Sequence, residues 1–118
     1  MIQAEIKIIP NHVTNRTYSV SLRYPGFWCQ QEVDPMLTNV ADLTVIYAPD
    51  KQLYDFGSLS SYLRSFEPES LSLETCANRI LDDLVAQLRP IWAKVLIEQK
   101  REHGIEIRIE AEHGRVGH

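Results

Sequence analysis

The stretch LETCANRILDDLVAQL, residues 73–88, decides the fold class, because its apolar side chains recur at the three- and four-residue steps of an amphipathic helix. Pro90 ends this run, since proline cannot continue a helix. A shorter segment with the same spacing, Ser58–Phe66, precedes it, and Pro68 separates the two. The sequence therefore predicts two consecutive helices in the middle of the chain.

Segments that alternate polar and apolar residues flank these helices, and a period of two is typical of strands with one buried face. They are Ala4–Ile9, Tyr18–Tyr24, Leu43–Tyr47, Val95–Gln99 and Ile105–Ile109. Pro25-Gly26 ends the second strand in this interpretation, so a loop is predicted from Phe27 to Asn39. The order of elements predicts an α+β domain, with an antiparallel four-stranded sheet and both helices on one face. We expect residues 1–112 to form this single domain and residues 113–118 to form a loose C-terminal tail.

Composition and charge disfavour several classes of partner. The 118-residue chain has a formal net charge of −4 and no basic cluster longer than Lys100-Arg101, so the basic face that nucleic acids require is missing. No stretch approaches the ~20 apolar residues that span a bilayer, and the N-terminal residues do not have the pattern of a signal peptide. Cys29 and Cys76 lack zinc spacing, and His103 and His113 lack a third ligand, so no metal is expected. We expect a cytoplasmic protein with reduced thiols.

Several short motifs stand in a fixed order along the chain. They are Tyr24-Pro25-x-Phe27, Tyr47-Ala48-Pro49-Asp50, Tyr62-Leu63-Arg64-Ser65-Phe66, Glu74-Thr75-Cys76-Ala77-Asn78-Arg79-Ile80 and Asp82-Asp83-Leu84. Over roughly Tyr18 to Ile109 the chain resembles the QueF family, enzymes that reduce 7-cyano-7-deazaguanine in queuosine biosynthesis. The resemblance implies the tunnelling fold (T-fold), whose subunits join their sheets into a barrel and bind purine-like ligands at subunit interfaces. It therefore implies a homo-oligomer assembled through sheet edges, which also protects those edges.

The resemblance places a ligand-binding pair at the start of the longer helix. Glu74 matches the glutamate with which the family grips the ring edge of the ligand, and a carboxylate can accept hydrogen bonds from two adjacent N–H donors. Leu73 stands where the family has a histidine. The alternative for Glu74 is purely structural, because a negative side chain complements the positive end of any helix.

The resemblance also implies catalytic residues. Cys29 is the candidate nucleophile, which in the family adds to the nitrile carbon to give a thioimide. It lies two residues before the family's cysteine position, which Gln31 occupies, and the alternative is a loop cysteine with no chemistry. Asn39 matches the family's proton-donating aspartate but has no acidic proton, so Asp34 and Asp42 are alternatives.

A cofactor signature precedes the first helix in the family. Ser58, Leu59 and Tyr62 match it, which implies NADPH as the cofactor. Gly57 and Ser60 replace the two lysines of that signature, so the positive charges expected at the NADPH phosphates are missing.

Three functions follow from these matches and departures. The first is reduction of the nitrile of 7-cyano-7-deazaguanine, or of a related purine-like ligand, to an aminomethyl group through a Cys29 thioimide. The second is addition of an amine to a bound nitrile without hydride transfer. The third is a non-catalytic subunit that binds a purine-like ligand or partners a competent chain.

Overall fold

Two helices pack against an antiparallel sheet in the computed structural model of the chain, which describes residues 5–31, 38–102 and 104–114. The elements are β1 (Ile8–Pro10), β2 (Val20–Gln30), β3 (Thr38–Ala48), β4 (Gln52–Tyr54), α1 (Phe56–Arg64), α2 (Leu73–Leu88), β5 (Trp92–Glu102) and β6 (Ile105–His113). The main sheet has the order β2-β3-β5-β6 with every pair antiparallel, and β1 pairs with β4 in a separate two-stranded sheet. The predicted α+β class and the four-stranded antiparallel sheet are confirmed.

The core lies between the helices and one face of the main sheet. On β3 and β5 alternate residues are buried, and the apolar stripes of α1 and α2 cover them. The largest buried side chains of this layer include Tyr47, Leu43, Val45, Val95, Ile97, Ile80 and Leu84. α1 packs against β2, while α2 packs against β5 and β6, so both helices share one face and β2 and β6 form the edges.

The predicted strands differ from the structure mainly at their ends. β1 covers Ile8–Pro10, so residues 5–7 of the predicted run are not in a strand, while Ala4 lies outside the described residues. The three-residue strand β4 was not predicted because it is too short to show a period. β6 includes His113, the first residue of the predicted tail, while residues 115–118 lie outside the described part of the chain.

The loop predicted from Phe27 is wrong at both ends, because β2 continues to Gln30 and β3 begins at Thr38. A β-bulge explains the error. The ladder pairs Tyr24 with Leu43 and then Phe27 with Ala41. Between these two pairs β2 therefore contains one more residue than β3.

Gly26 supplies the conformation that the bulge needs, with φ of 77°, and Pro25 is tolerated because β2 is an edge strand. The extra residue also changes the phase of alternation. Leu22 and Tyr24 face the helices before the bulge, and Phe27 and Cys29 face them after it. The bulge therefore turns Cys29 into the core instead of toward the opposite face.

Substitution of two different glycines by alanine should have opposite effects on the unfolding free energy. Gly26→Ala should destabilise the fold by about 1–2 kcal/mol, because an added Cβ disfavours positive φ although no atom lies within 4 Å of it. Gly57→Ala in α1 should stabilise by about 0.4–1 kcal/mol, since its Cβ would meet only the Asp55 carboxylate at 3.7 Å. Urea unfolding of both variants measures the difference, and effects of the same sign would contradict this account of the bulge.

Candidate functional site

The connector between the two helices lies on the end of β2. The Gln30 N–H donates to the Glu69 carbonyl at 2.9 Å, and the Leu71 N–H donates to the Gln30 carbonyl at 3.0 Å. A parallel bridge joins Gln30 to Ser70 between these bonds. The connector thus acts as a short extra strand, and it brings the beginning of α2 beside the last residues of β2.

α2 begins directly after this connector. Ser72 is its N-cap, and its hydroxyl accepts a hydrogen bond from the Thr75 N–H at 3.1 Å. Because Ser72 is fixed in this way, Leu73 and Glu74 occupy the first turn at a defined angle. The Leu73 side chain points into the core and is 4% exposed, whereas Glu74 is exposed to solvent.

Glu74 lines an open groove of about 490 Å³ along the outer side of α2. The other lining residues are Thr75, Asn78, Arg79, Asp82 and Asp83. In the part of the chain that the structure describes, no side chain pairs with the Glu74 carboxylate, and Asn78 donates instead to the backbone carbonyl of Glu74 at 2.9 Å. Both carboxylate oxygens can therefore accept hydrogen bonds from a ligand.

Cys29 lies under the same connector. Its side chain is 0% exposed, and its Sγ donates to the Leu71 carbonyl at 3.4 Å. Leu71 stands three residues before Glu74 in the chain. The sequence interpretation of a loop cysteine is wrong, because Cys29 lies in β2 and faces the core. Cys29 faces inward and Glu74 outward, and Cys29 is not among the residues that line the groove at Glu74.

Cys76 on α2 lies beside Cys29 in the core. The two Sγ atoms are 3.7 Å apart, although 47 positions separate the residues in the chain. The Cys76 side chain is buried, with 0% exposure. The hydrogen bond to Cys29 and burial together raise the pKa of the Cys76 thiol far above its usual value, so this thiol keeps its proton at neutral pH.

The candidate proton donors differ in their positions. Asn39 lies opposite Cys29 in the β2–β3 ladder, whereas Asp34 lies outside the described residues. Asp42 points to the other face of the sheet, where its carboxylate pairs with Arg23 at 3.0 Å. Asp42 is therefore an exposed-face residue of β3, and its carboxylate does not face Cys29.

The three predicted cofactor residues all lie in helix α1, and each has contacts within the chain. The Ser58 hydroxyl accepts from the Lys7 N–H at 2.8 Å, and Leu59 is buried. Tyr62 is buried and its hydroxyl donates to the Asp83 carboxylate on α2. Burial, then the hydrogen bond to Asp83, raise the pKa of the Tyr62 phenol. A contact of these three residues with NADPH stays a prediction.

A mainly apolar cavity of about 190 Å³ opens between α1 and β2. It is lined by Leu22, Arg23, Tyr24, Leu43, Val45, Phe56, Leu59, Ser60 and Leu63. Ser60, which stands in place of one lysine, thus faces apolar side chains and one arginine rather than a basic cluster. This wall offers little to the phosphates of a dinucleotide.

Two further features concern metals and membranes. Within the described ranges, no three His, Cys, Asp or Glu side chains gather closely enough to hold a metal ion. Among the same residues, neither helix has the length and apolar character required to cross a membrane.

Comparisons with known proteins agree on one family. The sequence profile of the family described as QueF-like protein matches residues 39–118. The chain is 36% identical over 115 residues to the NADPH-dependent 7-cyano-7-deazaguanine reductase of Syntrophus aciditrophicus, covering 96% of this chain and 80% of the relative. It is 31% identical over 111 residues to the enzyme of the same name from Prochlorococcus marinus, covering 94% of this chain and 82% of the relative.

A solved structure shares the architecture. The chain is similar to the archaeosine synthase QueF-Like in its apo form, with a TM-score of 0.76 at 20% identity, over 84% of this chain and 96% of the other. This likeness confirms the predicted tunnelling fold, while assembly of the sheets into a barrel stays a prediction. The profile match and the two reductases together establish that this chain belongs to the QueF-like family.

Proposed function

We propose that the chain binds 7-cyano-7-deazaguanine, or a closely related purine-like base, where α2 begins beside the end of β2, and that Cys29 adds to its nitrile. The observation that carries this proposal is the contact of the Cys29 Sγ with the Leu71 carbonyl at 3.4 Å, three residues before Glu74. This contact places Cys29, the cysteine nearest in sequence to the family's nucleophile position, beside the beginning of α2. Glu74, the proposed ligand-binding glutamate, stands in the first turn of that helix. The names of the two reductases support the choice of ligand.

Each residue has a separate chemical task in this proposal. The exposed Glu74 carboxylate accepts two hydrogen bonds from adjacent N–H groups of the base, and charge makes these bonds the stronger kind. The Cys29 sulfur forms a bond to the nitrile carbon, and the thiol proton goes to the nitrile nitrogen, which gives a thioimide. Because Cys29 is enclosed within the single chain, the Glu69–Leu71 connector must move from Gln30, or a second subunit must reshape this corner.

A second subunit also fits the exposed edges. Strands β2 and β6 are the edges of the sheet, and Ile105 on β6 is 61% exposed. Pairing of these edges between copies of the chain would build the proposed barrel and complete the pocket at the subunit interface. We propose that this oligomer acts in the cytoplasm. Light scattering tests the assembly, and a monomer at micromolar concentration would argue against it.

Hydride transfer from NADPH is the second step that the relatives' names suggest. The apolar wall around Ser60 and the absence of the two lysines favour a protein that stops at binding or adduct formation. NADPH consumption, followed through the cofactor's absorbance in the presence of the nitrile, separates the two outcomes.

Formation of the adduct is the direct test. Incubation with 7-cyano-7-deazaguanine should raise the intact mass of the chain by the mass of one ligand. The Cys29→Ala variant should lose this adduct, and the matched Cys76→Ala variant should keep it. If the assembled wild-type protein shows neither an adduct nor thermal stabilisation by the ligand, the proposal fails.

A further inference from the structure

We propose that a cavity at the beginning of β2 binds a neutral, planar aromatic compound that carries a hydrogen-bond acceptor, and that the Tyr47 hydroxyl donates to this acceptor. The cavity has a volume of about 220 Å³ and lies between β1, β4, the first residue of β2 and the start of α1. The corner that holds Cys29 is at the other end of β2, about 30 Å away along an 11-residue strand. This site is therefore separate from the one proposed above.

Aromatic side chains form most of the wall of this tyrosine cavity. They are Tyr18, Tyr47, Tyr54 and Phe56, and the lining is completed by Ile9, Val20, Leu53 and Asp55. The rings of Tyr47 and Tyr54 meet edge to face, with centroids 4.8 Å apart, and both residues are 1% exposed. Phe56 is 64% exposed and forms the rim. An apolar cavity of about 150 Å³ can hold benzene, so this one has room for a ring with a polar substituent.

The Tyr47 hydroxyl has a proton without an acceptor. Its oxygen accepts a hydrogen bond from the Tyr54 N–H at 3.4 Å, but no group among the residues that the structure describes accepts the hydroxyl proton. Burial raises the pKa of the Tyr47 phenol, so the proton stays on the oxygen at neutral pH. Buried donors almost always have an acceptor, because an unsatisfied one costs free energy. An acceptor atom of a ligand in the tyrosine cavity would satisfy Tyr47.

The other polar groups of the wall are fixed by contacts within the chain. The Tyr18 hydroxyl donates to Oδ1 of Asn11 at 2.7 Å, and the Tyr54 hydroxyl donates to the Leu84 carbonyl at 3.1 Å. Asp55 is the N-cap of α1, and one of its carboxylate oxygens accepts the capping hydrogen bond. The wall is thus formed before a ligand arrives, which lowers the entropy lost on binding.

The chemistry of the wall defines the class of ligand. Tyrosine and phenylalanine rings favour a flat aromatic ring, which can pack against their edges and faces. The Tyr47 hydroxyl requires an acceptor such as an amide carbonyl. The Asp55 carboxylate repels an anion, and an anion would also lose its hydration among apolar side chains. A neutral aromatic amide meets all three conditions.

Three ring compounds of similar size test these conditions on the assembled full-length protein. They are benzamide, toluene and benzoate, and titration is followed through the backbone amide signals in NMR spectra. Benzamide should shift the amides of Tyr54 and Asp55 and leave those of Gln30 and Leu71 unchanged. Benzoate should bind at least about tenfold more weakly than benzamide, because it brings a negative charge beside Asp55.

Tyr47→Phe tests the donor. Benzamide should bind this variant about tenfold more weakly than the wild-type protein, whereas toluene, which has no acceptor, should change by less than about twofold. The variant also removes the acceptor of the Tyr54 N–H, so the fold loses stability. That loss affects both compounds alike, and the ratio of their affinities still reports on the hydroxyl.

Phe56→Ala tests the position of the ligand without a change in the core. Loss of the exposed rim should weaken both benzamide and toluene by roughly fivefold. Phe56 also lines the neighbouring cavity between α1 and β2, so Ser60→Leu is the matched control, because Ser60 lines only that neighbour. Ser60→Leu should leave benzamide binding unchanged, and a loss of binding in this variant would overturn the assignment to the tyrosine cavity.

Three other results would overturn the proposal. They are no shift at Tyr54 with millimolar benzamide, as expected if a second copy of the chain covers Phe56, equal affinities for benzamide and benzoate, and equal losses for benzamide and toluene in Tyr47→Phe. Glu74→Ala should leave benzamide binding unchanged. Failure of 7-cyano-7-deazaguanine to bind at Glu74 and failure of benzamide to bind at Tyr47 are therefore separate results.

Discussion

Replacing Glu74 with alanine should weaken binding of 7-cyano-7-deazaguanine by on the order of 100-fold. Two hydrogen bonds to a charged acceptor contribute about 1.5–3 kcal/mol each, and removal of the acceptor leaves the ring N–H donors of the ligand unpaired. The lower end of the sum, about 3 kcal/mol, corresponds to a change of roughly 100-fold in the dissociation constant. Titration calorimetry on the assembled protein measures it.

The fold should tolerate this change. Glu74 is exposed and stands in the first turn of α2, where its charge complements the helix by about 0.3–1 kcal/mol. The unfolding free energy should therefore fall by no more than that amount. Loss of binding would then reflect the lost contact with the ligand rather than damage to the helix.

Asp82→Asn provides the matched control. Asp82 lies two turns further along α2, is exposed, and lines the same groove. If the groove attracts the ligand only through its negative charge, Glu74→Gln and Asp82→Asn should weaken binding equally. The pocket described above requires a large effect of Glu74→Gln and an effect below twofold for Asp82→Asn, and equal effects would remove Glu74 from the site.

The helices could be predicted from the sequence because their information is local. α2 spans Leu73–Leu88, and its apolar residues repeat at helical spacing between Pro68 and Pro90, so few other structures satisfy the pattern. The alternating strands β3, β5 and β6 were predicted for the same reason. Only their ends differ, since the outer residues of each strand carry no clear alternation.

The bulge in β2 explains most of what could not be predicted. Pro25-Gly26 has the composition of a turn, and only pairing with β3 shows that the strand continues. The error extended to the site, because without the extra residue Cys29 would share the face of Arg23 rather than that of Leu22. The contact with Cys76 depends on this change of phase and on the packing of α2, neither of which leaves a short-range signal.

The residues of the candidate site differ in the same way, since some could be recognised from local sequence and the contacts of others depend on long-range packing. Glu74 could be recognised through a family motif within one helix, and its exposure is compatible with ligand contact. The surroundings of Tyr62 and Ser58 could not be inferred, since the partners Asp83 and Lys7 come from α2 and from the N-terminal segment. Local motifs therefore indicate candidate residues, and long-range packing determines which other groups those residues contact.

Phe66→Ala should damage both the fold and the candidate site strongly, with a loss of about 3–5 kcal/mol of unfolding free energy. The Phe66 side chain is 0% exposed. The centroid of its ring lies 5.9 Å from that of Phe27 and 5.4 Å from that of Tyr62. Truncation removes both contacts and leaves a cavity between β2 and α1. A domain of this size has a total stability of about 5–15 kcal/mol, so urea unfolding should shift strongly to lower concentration.

Phe56→Ala is the natural control, because the same chemical change is made at a side chain that is 64% exposed at the start of α1. Its effect should stay within about 0.5 kcal/mol. Similar losses in the two variants would show that burial of Phe66 between β2 and α1 is not what stabilises this region.

Phe66 should also control the corner that holds Cys29. The Phe66 carbonyl accepts a hydrogen bond from the Glu69 N–H at 3.0 Å, and the Phe27 ring fixes the segment of β2 that leads to Gln30. In Phe66→Ala the amides of Gln30 and Leu71 should exchange with solvent faster, by a larger factor than the amide of Val95 in the centre of the sheet. Uniform acceleration at all three amides would mean that the variant only lowers global stability. Selective acceleration would show that one buried aromatic contact holds the connector over the thiol, and the same variant should then be oxidised faster at Cys29 than the wild-type protein.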